Sequence, residues 1–132
     1  MKYLFCGALV VFGAVSLLAH HSTTTIFDVS KKVTVTGTLT KVDWVNPHIV
    51  VLVEGKGESW KMESNPPSWF RRVNVGRADL AKAVGQTVTI EANPAKDGSL
   101  YGYMMKITFP DKTSLEIVDP NRAEDNKTAA TK

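Results

Sequence analysis

The chain of 132 residues holds a single cysteine, Cys6, and that residue lies inside an N-terminal apolar run. The remainder has no thiol, which excludes a disulfide framework, a cysteine nucleophile and a cysteine zinc site. Cys6 also comes too early, with no apolar stretch before it, to serve as a lipoprotein cysteine. An excess of either charge is lacking: 16 Lys and Arg stand against 13 Asp and Glu, a net charge of +3 that falls by one without Lys2. So mild a balance gives no reason to expect nucleic acid or anionic lipid as a partner. There is no second long apolar run, and the first is short for a membrane span. Nor is there a Ser/His/Asp elbow, a phosphate loop, a helical zinc motif or a dinucleotide fingerprint. Enzymatic function has little support in the sequence.

What is present starts at the N-terminus. Lys2, the apolar run from Tyr3 to Leu18, and the small residue Ala19 read as a secretory signal peptide over residues 1–19. Leu17 is larger than the residue usual at the third position before a cut. Cleavage after Ala19 would deliver a periplasmic or secreted chain beginning at His20. Left uncut, the run would tether the protein to the membrane. The mature remainder is long enough for one small domain.

Residues 20–32 read as an N-terminal arm that tucks one aromatic, Phe27, onto the domain. From Val33 the pattern has period two, with Val33, Val35, Gly37 and Leu39 on one face and four threonines on the other. After Lys41 the phase slips by one, to Val42 and Trp44. A bulge near Thr40-Lys41 would do this and bend the strand, with Gly37 as a second flexible point. Asn46-Pro47 signals a turn, Ile49 to Val53 a buried strand, Gly55-Lys56-Gly57 a hairpin loop. Trp60 and Met62 then alternate against Lys61 and Glu63. Asn65 can cap a short helical segment opening on Pro66-Pro67, and Arg77 to Val84 gives another short turn, closed by Gly85. Val88 and Ile90 mark a further strand. Lys96-Asp97-Gly98 turns the chain. Tyr101, Tyr103, Met105 and Ile107 form one face of the next strand, and Leu115 to Val118 a short last one. Residues 119–132 are polar and aperiodic and are expected to be disordered.

Three strands, a short helical segment, then two or three strands with a bent first strand is the order of an OB-like barrel. The expected fold is therefore all-β, a five- to six-stranded barrel over residues 33–118. A two-sheet sandwich built from the same strands is the competitor.

Two of the three histidines stand at the start of the mature chain. A free amino group and an imidazole on His20 can chelate a transition metal, and His21 and His48 can add nitrogen ligands suited to copper or zinc. Such a set would be similar to the histidine brace of secreted copper proteins. The plainer reading makes His48, within Trp44-Val45-Asn46-Pro47-His48, a structural histidine with a hydrogen-bond partner, and His20-His21 a remnant of processing. Glu63 could pair with Arg71 or Arg72, or act as a carboxylate ligand or as an outer partner orienting a histidine. No second carboxylate stands at fixed spacing from it, so acid–base hydrolysis is unsupported. Arg71-Arg72 could bind an anion or simply hold a turn. Tyr101 and Tyr103 could form a stacking platform or fill the sheet.

Ala19-His20-His21-Ser22, Phe27-Asp28, Gly37-Thr38-Leu39-Thr40-Lys41-Val42, Trp44-Val45-Asn46-Pro47-His48, Trp60-Lys61-Met62-Glu63, Arg71-Arg72 and Ala95-Lys96-Asp97-Gly98-Ser99 together resemble one family. It is the domain of unknown function family 6152, small secreted bacterial proteins. The chain departs from the family's usual pattern at Val73-Asn74, where Gly-Trp is usual, and at Asp111-Lys112, where Asp-Gly is common. The resemblance implies a periplasmic or secreted setting and an OB-like barrel, and no activity.

The sequence thus points to a non-enzymatic binding module. In the leading reading His20, His21 and His48 hold copper or a similar metal, with Glu63 behind them. In the rival reading a barrel face with Trp44, Asn46, Trp60, Tyr101 and Tyr103 receives a protein, peptide or glycan. A copper oxidoreductase would further need an open coordination position and a substrate surface.

Overall fold

The computed structural model describes residues 23–119. Residues 1–22, with the expected signal peptide and with His20 and His21, lie outside the described residues, as do residues 120–132. The first strand, β1, spans Val33–Asp43; β2 spans Val50–Gly55 and β3 Glu58–Glu63. Two short helices follow, α2 at Pro67–Arg72 and α3 at Arg77–Ala81, after a single-turn α1 at Thr23–Ile26. Strands β4 (Thr87–Pro94), β5 (Tyr101–Thr108) and β6 (Ser114–Glu116) complete the set.

β1 serves both halves of the molecule. Its N-terminal half pairs antiparallel with β4 and its C-terminal half with β2. The register to β2 shifts between Leu39 and Lys41, so Thr40 is the extra residue of a bulge and bends the strand where the hydrophobic phase slips in the sequence. At Gly37 the backbones of β1 and β2 approach so closely that a Cβ would collide with the Glu54 carbonyl. The hairpin from β2 to β3 turns on Lys56 and Gly57, both at positive φ (53° and 76°), which matches the right-handed strand twist.

Parallel pairing of β3 with β5, from Lys61↔Tyr101 to Glu63↔Tyr103, closes five strands into a barrel, and β6 pairs antiparallel with the C-terminal end of β5. The expected small all-β barrel is the fold observed, closed rather than split into two sheets. Leu39, Val51, Met62, Ile90, Met104 and Ile107 fill its interior, and α2 and α3 cap it with Phe70 and Leu80. Burial of this apolar set is the main stabilising contribution.

Three local expectations differ from the structure. The sequence pattern puts Tyr101, Tyr103, Met105 and Ile107 on one face. Instead the β4–β5 register slips, with Glu91 opposite Lys106 but Ala92 opposite Met104. Met105 is the extra residue there, so Ile107 and Met104 point into the barrel. Tyr101, Tyr103 and Met105 pack outside it with Phe27 and Ala95. Asn65 does not cap α2, whose N-cap is Pro66; its side chain bonds elsewhere. Asp119, read with the disordered tail, is buried and accepts a hydrogen bond from Thr23 Oγ1.

Candidate functional site

The β2–β3 hairpin brings the site together. Val50 stands opposite Glu63, and the ladder continues past the strand ends through Ile49 N to the Asn65 carbonyl (3.2 Å) and Ser64 N to the Ile49 carbonyl (2.9 Å). His48, two residues before Val50, therefore falls diagonally across from Glu63 on the outer face. The loop that delivers it contains the cis Asn46-Pro47 bond.

On that face His48 Nδ1 is hydrogen-bonded to Glu63 Oε1, and the Tyr101 hydroxyl donates to Glu63 Oε2. The His48 side chain is 36% exposed while that of Glu63 is 14% exposed. A carboxylate can only accept, so the proton of this bond sits on Nδ1. In the neutral ring Nε2 then carries the lone pair, as metal-binding histidines held from behind by a carboxylate do. The Tyr101 hydroxyl ties the second carboxylate oxygen and fixes the plane of the pair.

Tyr101 is itself held. Phe27 meets its ring edge-on with centroids 4.9 Å apart, and Lys61 Nζ lies 4.7 Å from its ring centroid. Tyr103, one pleat along, is buried and donates to Asn65 Oδ1. Asn65 Nδ2 donates to the Val118 carbonyl at 2.8 Å. Two tyrosines on one strand thus feed two neighbouring polar side chains, Glu63 and Asn65. The parallel β3–β5 register explains this, because it places Tyr103 beside Glu63 and Tyr101 beside Lys61.

The other residues singled out in the sequence go elsewhere. Trp60 lies on the inner side with Met62 and packs at the edge of the core, its Nε1 donating to Glu58 at 3.1 Å. Trp44 packs against Phe70 with ring centroids 5.6 Å apart. Asn46 is exposed in its loop. Arg71 and Arg72 are exposed in the last turn of α2, and Glu63 pairs with His48 rather than with either. The four aromatics Trp44, Trp60, Tyr101 and Tyr103 therefore divide between the two sides of the barrel wall instead of forming one face. Among the described residues no group of three or more His, Cys, Asp or Glu side chains is placed to hold a metal ion. Tyr101, as donor to Glu63, is the element that the sequence pattern does not assign to this site.

The profile of a family of unknown function, DUF6152, matches residues 8–104. The chain belongs to that family. The match runs from the N-terminal apolar segment to β5, so it takes in His48, Glu63 and Tyr101 and ends before β6. No curated protein matches the chain. Membership in DUF6152 brings a shared sequence pattern and no assigned reaction.

Proposed function

We propose that this DUF6152 protein is an exported, periplasmic binding protein that takes up one copper(II) ion, or a similar metal such as zinc. In this reading cleavage after Ala19 frees His20, whose amino group and imidazole chelate the ion. His48 Nε2 and His21 add further nitrogen ligands, a set that suits copper(II). The observation that carries the proposal is the Glu63 carboxylate bonded to His48 Nδ1 and braced by Tyr101. That arrangement fixes the ring's orientation and leaves Nε2 free of the carboxylate, which is what a metal ligand needs.

The rival reading, an aromatic docking face, has weaker footing. Tyr103 is buried, Lys61 and Phe27 flank the Tyr101 ring, and Trp44 is packed against Phe70.

The test is a copper(II) titration, by calorimetry, of protein whose start at His20 has been verified by mass spectrometry. One-to-one binding is expected. His48→Ala should weaken it by more than the ~10–100-fold that loss of an outer partner costs. Equal affinity in the parent and His48→Ala would remove His48 from the site and, with it, the proposal.

A further inference from the structure

We propose that the end of the barrel at α2, which carries Trp44, Val45, Trp69, Arg71, Arg72 and Val73, docks onto an anionic phospholipid surface, a role separate from the proposed metal site. The net charge of the chain is mild, but its arginines are not spread. Among the described residues all three, Arg71, Arg72 and Arg77, are exposed in one stretch at α2 and the start of α3. None of them makes an ion pair or a side-chain hydrogen bond there, whereas Lys31, Lys32, Lys41, Lys82 and Lys106 each pair with a carboxylate. The acids near this end are already engaged. Asp43 holds Lys41 (3.0 Å), Asp79 holds Lys82 (3.4 Å) and Gly76 N (2.8 Å), and Glu63 holds His48 and Tyr101. Nor are the arginine side chains needed to close the turn after α2. Main-chain bonds close it, from Val73 N and Val75 N to the Phe70 carbonyl (3.1 and 2.9 Å) and from Asn74 N to the Arg71 carbonyl (3.1 Å), with Asn74 at φ 60°.

Apolar side chains stand beside these cations. The register of Asp43 with Val50 and of Val50 with Glu63 sets the ends of β1 and β3 side by side, so Trp44 and α2 leave the barrel at the same end. Phe70 is fully buried and anchors α2. Trp44 and Trp69 both pack edge-on against it, with ring centroids 5.6 and 5.0 Å away, and both stay partly exposed. Val45, next to Trp44, is 51% exposed, and Val73, next to Arg72, is 42% exposed. Indoles and small apolar side chains next to unpaired guanidiniums suit the headgroup level of a bilayer, where indoles sit in the interface and basic residues are drawn to anionic lipid. The guanidinium fork also matches phosphate oxygens two at a time. An acidic peptide would meet the arginines but offers the valines nothing, whereas a lipid surface takes both. No described helix is long and apolar enough to cross a membrane, so the contact is made at the surface.

The experiment cosediments protein starting at His20, which keeps the whole described barrel and lacks the N-terminal apolar run, with vesicles. These are phosphatidylcholine alone or phosphatidylcholine mixed with phosphatidylglycerol. The parent should bind the mixed vesicles only, less so at high salt, and phosphatidylglycerol with brominated acyl chains should quench its tryptophan fluorescence. Arg71→Gln and Arg72→Gln should each bind ~5-fold more weakly, and the double variant ~25-fold. Both side chains are exposed and unpartnered, so thermal melts of these variants should match the parent. Lys56→Gln removes the same charge at the β2–β3 hairpin tip, the opposite end of those strands, and should bind like the parent. Val45→Ser with Val73→Ser should keep the salt-dependent attraction and reduce the quenching. Equal binding to the two kinds of vesicle, parent-like binding by the double arginine variant, or a loss in Lys56→Gln as large as in either arginine variant would overturn the proposal. Binding to soluble polyglutamate as tight as to the mixed vesicles, with no quenching by brominated chains, would assign the patch to an acidic protein and overturn it as well.

Discussion

Glu63 grips His48 by Nδ1, which leaves Nε2 as the nitrogen that can meet a ligand. The pairing is a product of hairpin register. The turn at Lys56-Gly57 sets Gly55 opposite Glu58 and Val50 opposite Glu63. A shift of one residue would send Glu63 to the barrel interior and Met62 outward.

If His48 is a metal ligand as proposed, removing the charge of its partner should be felt in metal affinity. Glu63→Gln keeps the size of the side chain but cannot hold the imidazole with a full carboxylate. Copper(II) affinity is expected to fall by ~10–100-fold, and Tyr101→Phe should cost less, since it loosens only the second carboxylate oxygen. Titration of the two variants against the parent checks this; unchanged affinity in Glu63→Gln would show that orientation of His48 contributes nothing to binding.

The fold depends on close backbone approach at one point of β1. A methyl group at position 37 has no room beside the Glu54 carbonyl, and no flexible side chain is there to yield. Gly37→Ala is expected to force β1 away from β2 and destabilise the barrel by about 1–3 kcal/mol, the usual range for overpacking. Urea unfolding monitored by tryptophan fluorescence measures it. A Gly37→Ala protein as stable as the parent would mean that the two strands can part there at no cost.

Acid should weaken the structure through its turns. Asp28, Asp97 and Asp111 accept hydrogen bonds from the hydroxyl and backbone N–H of Ser30, Ser99 and Thr113, two residues on. The hydroxyl bonds are the leading cause that holds these carboxyls below the ordinary value of 3.8. Because the folded value is depressed, the unfolded chain takes up protons first as pH falls. The stabilisation is complete above 3.8 and is lost as pH drops through the lower folded values. All three groups lie at the surface, so each contributes little. Thermal melts should show their part of the acid loss below pH ~4 only, and Asp97→Asn should make that loss shallower. A melt in which Asp97→Asn left the acid limb unchanged would contradict this assignment.

The barrel was legible because its strands alternate cleanly and its turns carry glycine, proline or aspartate. Even the bulge of β1 shows in sequence, as the phase slip from Leu39 to Val42. The slip at Met105 does not show, since Tyr101, Tyr103, Met105 and Ile107 are all apolar enough to suit either side of a wall. Packing against Phe27 outside and Met62 inside decides between the sides. Asn65 carries a helix-cap signal, but tertiary contacts with Tyr103 and Val118 outcompete the cap. His48 and Glu63 could have been paired from the hairpin alone. A two-residue turn at Lys56-Gly57 puts position 48 opposite 65, diagonal to 63. Tyr101 could not, because its place beside β3 depends on a parallel pairing that closes the barrel across 40 positions of chain from Lys61 to Tyr101.

In the proposed site the amino group of His20, freed by cleavage, and the imidazole of His48 bind one copper ion together. The most direct measurement is the paramagnetic resonance spectrum of the one-to-one copper(II) complex. It should be recorded for protein starting at His20 and for protein carrying one extra alanine before it. A nitrogen-rich spectrum and tight binding are expected for the first, and for the second a loss of affinity with a changed hyperfine pattern. Identical spectra and affinities for the two proteins would contradict the proposed site.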